Sequence, residues 1–358
     1  MADNVLNIKC PNCGAPLNFS PHDGEVVCQY CDSTFKAEVL EKLFNDSQED
    51  TKALEWGEVT PGSDWGEGEE NTLQVYSCPS CGAEIICDEN TVATTCVYCG
   101  NPTVLNGRLQ GSLKPDYIIP FRKTKEEAIA ALKDFYKGKR LLPKVFSKQN
   151  HIEEIKGVYV PFWLFDSGVD AKFVFDASRT SVLVMDDEDI TTIEHYRAER
   201  EGSMRFEKIP VDGSTKMEDR YMDAIEPFNY EDLIPFSRGY LPGYLAEKYD
   251  VDAAGSVDRV SERIFTSARL AAERTLSYDE YSVTTQNLKL VDHSAKYALL
   301  PVWMLTTRWK DETFMFAMNG QTGRLIGDLP VSKGRAAGWF GGITGVLFVI
   351  FATLASIL

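Results

Sequence analysis

Eight of the nine cysteines fall into two copies of one spacing. Cys10, Cys13, Cys28 and Cys31 form C-x2-C-x14-C-x2-C, and Cys78, Cys81, Cys96 and Cys99 repeat it. A C-x2-C turn sets two sulfurs on one side of a metal, and a hairpin returns the second pair. Thiolates are soft donors, and zinc takes four of them in a tetrahedron. The spacing therefore predicts two zinc ribbons, each closed around one structural Zn2+. Four cysteines per ion leave no open position for a metal-bound water, so the expected role is structural rather than catalytic. Cys10-Pro11-Asn12-Cys13-Gly14 and Cys78-Pro79-Ser80-Cys81-Gly82 open the two ribbons. Proline stiffens the turn, and glycine tolerates the left-handed backbone that follows the second cysteine. His22 reads as a turn residue of the first ribbon. Cys87 reads as a small buried hydrophobe, with a redox sensor as the alternative.

The elements that position these cysteines are short. The first ribbon is expected over residues 1–44 and the second over 73–110. Between them, 45–72 is an acidic, glycine-rich linker too poor in aliphatics to form a core. Trp56 and Trp65 stand out in it. Either each packs on a neighbouring ribbon, or the pair belongs to a segment that orders on a partner. The N-terminus Met1–Lys9 lacks an apolar signal core, so the thiols are expected to be reduced and cytoplasmic.

Charge argues against nucleic acid as the partner. The net charge is −17. Before Pro115 there are six Lys/Arg against eighteen Asp/Glu, and none of the six lies between Ala53 and Gly107. Each Zn(Cys)4 site would add further negative charge. Phosphate binding needs basic side chains that release counterions. The one foothold is Lys133–Lys148, which can equally face anionic lipid headgroups or be the wet side of a helix and its following loop.

Residues 115–332 read as a mixed α+β domain. Ile118-Ile119-Pro120-Phe121 is strand-like. Thr124 and Glu127 form a capping box before a helix that Gly138 would stop. Strands are expected at Gly157–Asp166, Val169–Phe175, Ser181–Met185 and Thr191–Arg197. A second helix is expected over 256–277, with Val257, Val260, Ile264, Ala268 and Ala271 on one face. Strands at Tyr297–Thr307 and Phe314–Met318 end in the turn Asn319-Gly320-Gln321-Thr322-Gly323. Tyr159-Val160-Pro161-Phe162-Trp163-Leu164 is similar to Leu299-Leu300-Pro301-Val302-Trp303-Met304. This is either an internal duplication or two edge strands that begin with proline.

Residues 338–358 carry no charge. At ~1.5 Å per residue they span a ~30 Å hydrocarbon core. Trp339 and Phe340 suit the interface, and Lys333 and Arg335 precede the run, placing the N-terminal bulk in the cytoplasm. The expectation is a single-pass tail anchor in the cell membrane; a second span beyond Leu358 is the alternative. Gly341 and Gly345 could let another such helix approach and form a homo-oligomer.

No HExxH, Walker A or G-x-G-x-x-G motif occurs. Glu194-His195 with Arg197, Arg200 and Arg205 is either a site or a solvated strand face. No catalytic residue is expected.

The paired ribbons, Gly157 to Leu164, Lys296-Tyr297 with Pro301-Val302-Trp303, and Phe316 to Gly323 together resemble a bacterial family of double zinc-ribbon proteins with a C-terminal membrane segment. Its members are labelled transcription-factor-IIB-type or primosomal helicase-like. The resemblance implies association with band-7 (flotillin-type) and phage-shock-protein-A-like membrane proteins. It implies no catalytic residues. The sequence thus predicts a membrane-anchored cytoplasmic adaptor in a membrane stress response, with nucleic-acid binding in transcription or replication as the alternative.

Overall fold

The computed structural model describes residues 25–27, 34–36, 54–66, 69, 73–88, 95–109, 112–143, 146, 152–185, 188–310 and 312–357. Of the first ribbon only a two-stranded antiparallel ladder is described, β1 (Glu25–Val27) with β2 (Thr34–Lys36). Cys10, Cys13, Cys28, Cys31 and His22 lie outside the described residues.

The rest is mixed α+β. Its strands are β3 (Leu73–Ser77), β4 (Glu84–Asp88), β5 (Val104–Arg108), β6 (Tyr117–Ile118), β7 (Lys156–Val184), β8 (Asp189–Asp212), β9 (Ile234–Pro235), β10 (Leu245–Glu247), β11 (Glu280–Trp309), β12 (Glu312–Asn319) and β13 (Leu325–Gly327). Its helices are α1 (Lys125–Tyr136), α2 (Asp219–Ile225), α3 (Val257–Glu273) and α4 (Lys333–Ile357). The eleven strands form one sheet, with β13-β12-β11-β7-β10-β4-β3-β5 as its main path. Residues 73–110, read as the second ribbon, supply three of these strands.

The chain divides into two compact units. One comprises 1–58, 166–207 and 257–293; the other comprises 59–165, 208–256 and 294–358. The long strands β7, β8 and β11 each run from one unit into the other.

In the second unit, alternation along β11 sorts side chains onto two faces. Val302 and Met304 join Val160, Phe162 and the α2 residues Met222 and Ile225. Trp303 and Leu305 join Phe316 and the α1 residues Ala128 and Leu132. Helix α1 starts where expected: Thr124 Oγ1 accepts from Glu127 N–H at 3.2 Å, and Glu127 Oε2 accepts from Thr124 N–H at 2.8 Å. Its C-cap is Lys137, with Gly138 following at φ +74°.

The two Pro-x-Trp strings occupy equivalent positions, and neither is on an edge. β7 and β11 lie inside the sheet. Tyr117 and Ile118 pair in parallel with Ala298 and Leu299, as Leu245 and Ala246 do with Val158 and Tyr159. Gly320 N–H donates to Pro301 O at 2.8 Å, and Gly213 N–H donates to Pro161 O at 2.8 Å. Gly320 O accepts from Arg122 and Lys123 N–H, and Gly213 O accepts from Asp250 and Val251 N–H. The Trp303 indole donates to Lys123 O at 2.9 Å, and the Trp163 indole donates to Val251 O at 2.9 Å. Phe121 meets Trp303 edge-on at 5.1 Å, and Tyr249 meets Trp163 edge-on at 5.1 Å. The matching bonds favour internal duplication over two edge strands.

Three expected strands are fused into β7. Asp166-Ser167-Gly168 does not break it, because Gly168 N–H finds an acceptor in Asp292 Oδ1 at 2.7 Å. Ser178 O likewise accepts from Asp279 N–H at 3.0 Å. Tertiary pairing overrides the local turn preference. Helix α3 buries Val260, Ile264, Ala268 and Ala272, an i+4 series, so Ala272 rather than Ala271 faces inward. The Trp56 indole donates to Ser261 Oγ at 2.8 Å, and its ring meets His293. Trp65, in the second unit, donates to Ser112 O at 2.8 Å and meets Phe236.

Helix α4 starts earlier than the charge-free run. From Ala337 to Leu354 every residue is exposed. It is the one described helix long and apolar enough to cross a membrane.

A Cβ on Gly320 would lie 2.6 Å from Phe121 Cδ1 and 2.9 Å from Pro301 Cβ. Gly320→Ala is expected to destabilise the fold by about 1–3 kcal/mol, read as a lowered thermal midpoint of the detergent-solubilised chain. Gly243→Ala is the contrast: its glycine sits in open space at φ +84°, so only backbone strain acts.

Candidate metal centre

The hairpin of β3 and β4 opens with the knuckle Cys78–Gly82, and residues 95–101 form a second knuckle of the same build. Cys78 N–H donates to Ala83 O at 2.9 Å and Gly82 N–H to Cys78 O at 2.8 Å. Cys96 N–H donates to Asn101 O at 2.8 Å and Gly100 N–H to Cys96 O at 3.0 Å. Gly82 and Gly100 sit at φ +72° and +70°, where a side chain would be strained. Asn101 Nδ2 donates to Ser80 Oγ at 2.6 Å and ties the knuckles together.

This brings Cys78, Cys81, Cys96 and Cys99 together, with all four Sγ atoms within 4.8 Å of one another. Cys78 and Cys99 are 3.5 Å apart and Cys81 and Cys96 3.6 Å apart. A tetrahedron with ~2.3 Å metal–sulfur bonds has edges of roughly 3.8 Å, so the four thiols fit one ion closely. Cys78 and Cys96 are buried, and Cys81 and Cys99 half-buried. Four sulfurs fill such a shell and leave no position for substrate.

The thiols differ before any metal is considered. Burial opposes ionisation of Cys78, but the N–H groups of Cys81 and Ser80 outweigh it and bring the thiol down to about 7. Burial pushes the Cys96 thiol up, against N–H donors from Cys99 and Tyr98. Cys81 is also raised, again chiefly by burial. A metal would replace this uneven ladder with four thiolates.

The second knuckle is bolted to the sheet by side chains that spacing alone did not reveal. Thr306 Oγ1 donates to Val97 O at 2.5 Å. Lys156 Nζ donates to Thr95 O at 3.0 Å. The Tyr98 hydroxyl donates to Glu247 Oε2, and the Ser214 hydroxyl donates to Glu247 Oε1. Glu247 lies on β10 opposite Ile85 of β4 and is 2% exposed. Burial pushes its carboxyl up to about 8, against the Ser214 and Tyr98 donors and with the charges of Asp250 and Asp212 adding to the rise. Its counterpart in the duplicated strand is Ile119. A carboxylate in the apolar run Leu245-Ala246-Glu247 was the available signal. Cys87 is wholly buried on β4, in the same core.

The other polar grouping, on β8, is a charge-paired strand face. Arg205 Nη1 lies 2.9 Å from Asp292 Oδ2, Arg200 Nε donates to Thr275 Oγ1 at 2.6 Å, and Tyr196 OH donates to Glu194 Oε2 at 2.7 Å. His195 is exposed.

Fold and site thus define a mixed α+β protein with a four-cysteine centre capable of holding a metal ion and one exposed apolar helix that could cross a membrane. The chain is 34% identical over 346 residues to the uncharacterized protein YdjG of Bacillus subtilis (strain 168), covering 96% of each sequence. It belongs to the YdjG family. No family model and no solved structure matches it.

A buried acid raised from 4.5 to about 8 holds its proton more tightly folded than unfolded, so its contribution to stability falls as pH rises through that window. Glu247→Gln cannot ionise. Its thermal midpoint should gain on wild type between about pH 5 and about pH 9. A constant gap across that range would show that the fold does not raise the Glu247 pKa.

Proposed function

We propose that this protein is a single-pass, membrane-anchored adaptor whose cytoplasmic bulk docks other proteins at the membrane. The observation that carries the reading is helix α4: no described part of the chain buries its apolar side chains. A lipid bilayer is the solvent such a surface needs. The centre at Cys78, Cys81, Cys96 and Cys99 holds zinc, and Cys10, Cys13, Cys28 and Cys31 hold a second zinc by the same spacing. These ions supply folding energy that such short segments lack. The partners are membrane-associated proteins of the band-7 and phage-shock-protein-A-like classes, as the family resemblance implies. The acidic N-terminal third disfavours nucleic acid.

Cys78→Ser should lower the zinc content of the purified chain by one equivalent and make residues 95–101 protease-sensitive. Unchanged zinc would remove the assignment. Affinity purification of the intact chain from detergent-solubilised membranes, beside a nuclease-treated control, tests the adaptor role. Recovery of membrane-associated proteins that nuclease leaves in place is expected. Recovery of transcription or replication factors that nuclease removes would overturn it.

A further inference from the structure

We infer that the N-terminal end of α4 forms a binding site for one anionic phospholipid, in which Arg140 and Arg335 take the phosphate and the helix wall takes the acyl chains. The inference rests on the membrane-anchor reading above.

The loop after α1 is stapled to the start of α4. Ser332 N–H donates to Leu141 O at 2.9 Å. Arg335 Nη1 donates to Leu142 O at 2.7 Å and to Arg140 O at 3.2 Å. These bonds hold two guanidinium groups at one end of the apolar helix. The Arg140 guanidinium lies 4.8 Å from the centre of the Trp339 ring, which pins it along the helix wall. Tryptophan at this place marks headgroup depth. Beside them runs an open groove of about 770 Å³, where Gly338 and Gly342 contribute no side chains and Ile343 and Leu347 supply apolar walls.

Charge selects the occupant. Among the described residues, no carboxylate pairs with Arg140, Arg335 or Lys333. Arg205, Arg220, Lys216 and Lys248 each have one. The segment Lys133–Lys148 holds six Lys/Arg and a single acid, Asp134, and no acid follows Asp328, in a chain of net charge −17. Guanidinium groups bind phosphate oxygens through several N–H donors at once. An acyl-chain groove next to guanidinium groups that no described carboxylate pairs with matches a phospholipid with an anionic head, such as phosphatidylglycerol.

The test uses the intact chain in neutral detergent, mixed with equal amounts of phosphatidylglycerol and phosphatidylcholine of the same acyl chains. Bound lipid is counted by native mass spectrometry. Preferential retention of one phosphatidylglycerol is expected. Arg140→Gln should cut that retention about fivefold, the effect of one basic residue at an anionic surface. Arg140→Lys should restore part of it. Lys133→Gln, exposed on α1, should leave it unchanged, and inorganic phosphate should not displace the lipid. Equal retention of the two lipids, an equal loss in Lys133→Gln, displacement by phosphate, or a second copy of the chain in place of lipid would each overturn the site. Carbonate washing of membranes separates the two readings. A wild-type chain that washes off overturns the anchor and the site with it. A chain that stays but shows no lipid preference overturns the site alone.

Discussion

The sheet depends on a lock made twice from a glycine and a tryptophan. In each half, a hairpin strand ends in a glycine whose N–H donates to the proline of the Pro-x-Trp string. The same glycine's carbonyl accepts two N–H groups from the segment that follows a short parallel strand. The indole of each Pro-x-Trp string then donates to a carbonyl of that segment. Proline explains part of this. It cannot donate to the ladder, so at Pro161 and Pro301 pairing has to proceed through the carbonyl side. Glycine explains the rest, since a methyl at Gly320 would enter the Phe121 ring. The segments are exchanged between halves: β6 joins β11 and β10 joins β7. Each half thus supplies a short strand to the other's part of the sheet.

Where the halves differ, the four-cysteine centre is found. β10 presents its free edge to β4, and through it to the hairpin that carries the first cysteine knuckle. Ile119 in one half corresponds to Glu247 in the other, and the carboxyl there receives Tyr98 from the second knuckle. The cost of burying an acid is met by two hydroxyl donors and by keeping the proton, which the rise to about 8 reflects. A buried polar contact of this kind fixes the orientation of the knuckle in a way that apolar packing alone does not. The cysteine hairpin is thus an integral edge of the sheet.

Much of this was legible in the residues. The second cysteine set was readable because metal spacing is local, and the capping box at Thr124 because it spans four residues. The similarity of the two Pro-x-Trp strings was visible, but its meaning was not. The glycines that answer them, Gly213 and Gly320, lie roughly fifty and twenty residues downstream. β7 was read as three pieces because Asp166-Ser167-Gly168 carries turn chemistry, and Asp292, which accepts from Gly168 N–H, lies far along the chain. Trp56 and Trp65 stood out correctly, but their acceptors, Ser261 and Ser112, are set by tertiary placement. The apolar helix needed no tertiary information, since length and lack of charge are read directly.

The proposed anchoring would place an acidic chain at an anionic leaflet, and the distribution of charge suits that placement. A chain of net charge −17 is repelled by such a surface, and the repulsion decays over roughly one Debye length, ~8 Å at physiological salt. Acidic residues far from the helix therefore cost little, whereas any within a turn or two of it would cost much. The sequence obeys this: the deficit of basic residues is concentrated before Pro115, and no Asp or Glu follows Asp328. Arg335 serves two ends in this setting. It satisfies the carbonyls of Arg140 and Leu142, which fixes the loop against the helix, and its side chain lines the same groove as that of Arg140. Two like charges held close together are mutually unfavourable unless an anion lies near both. The fold accepts that repulsion at the point where the helix leaves the domain, which is where a leaflet of phosphates would relieve it.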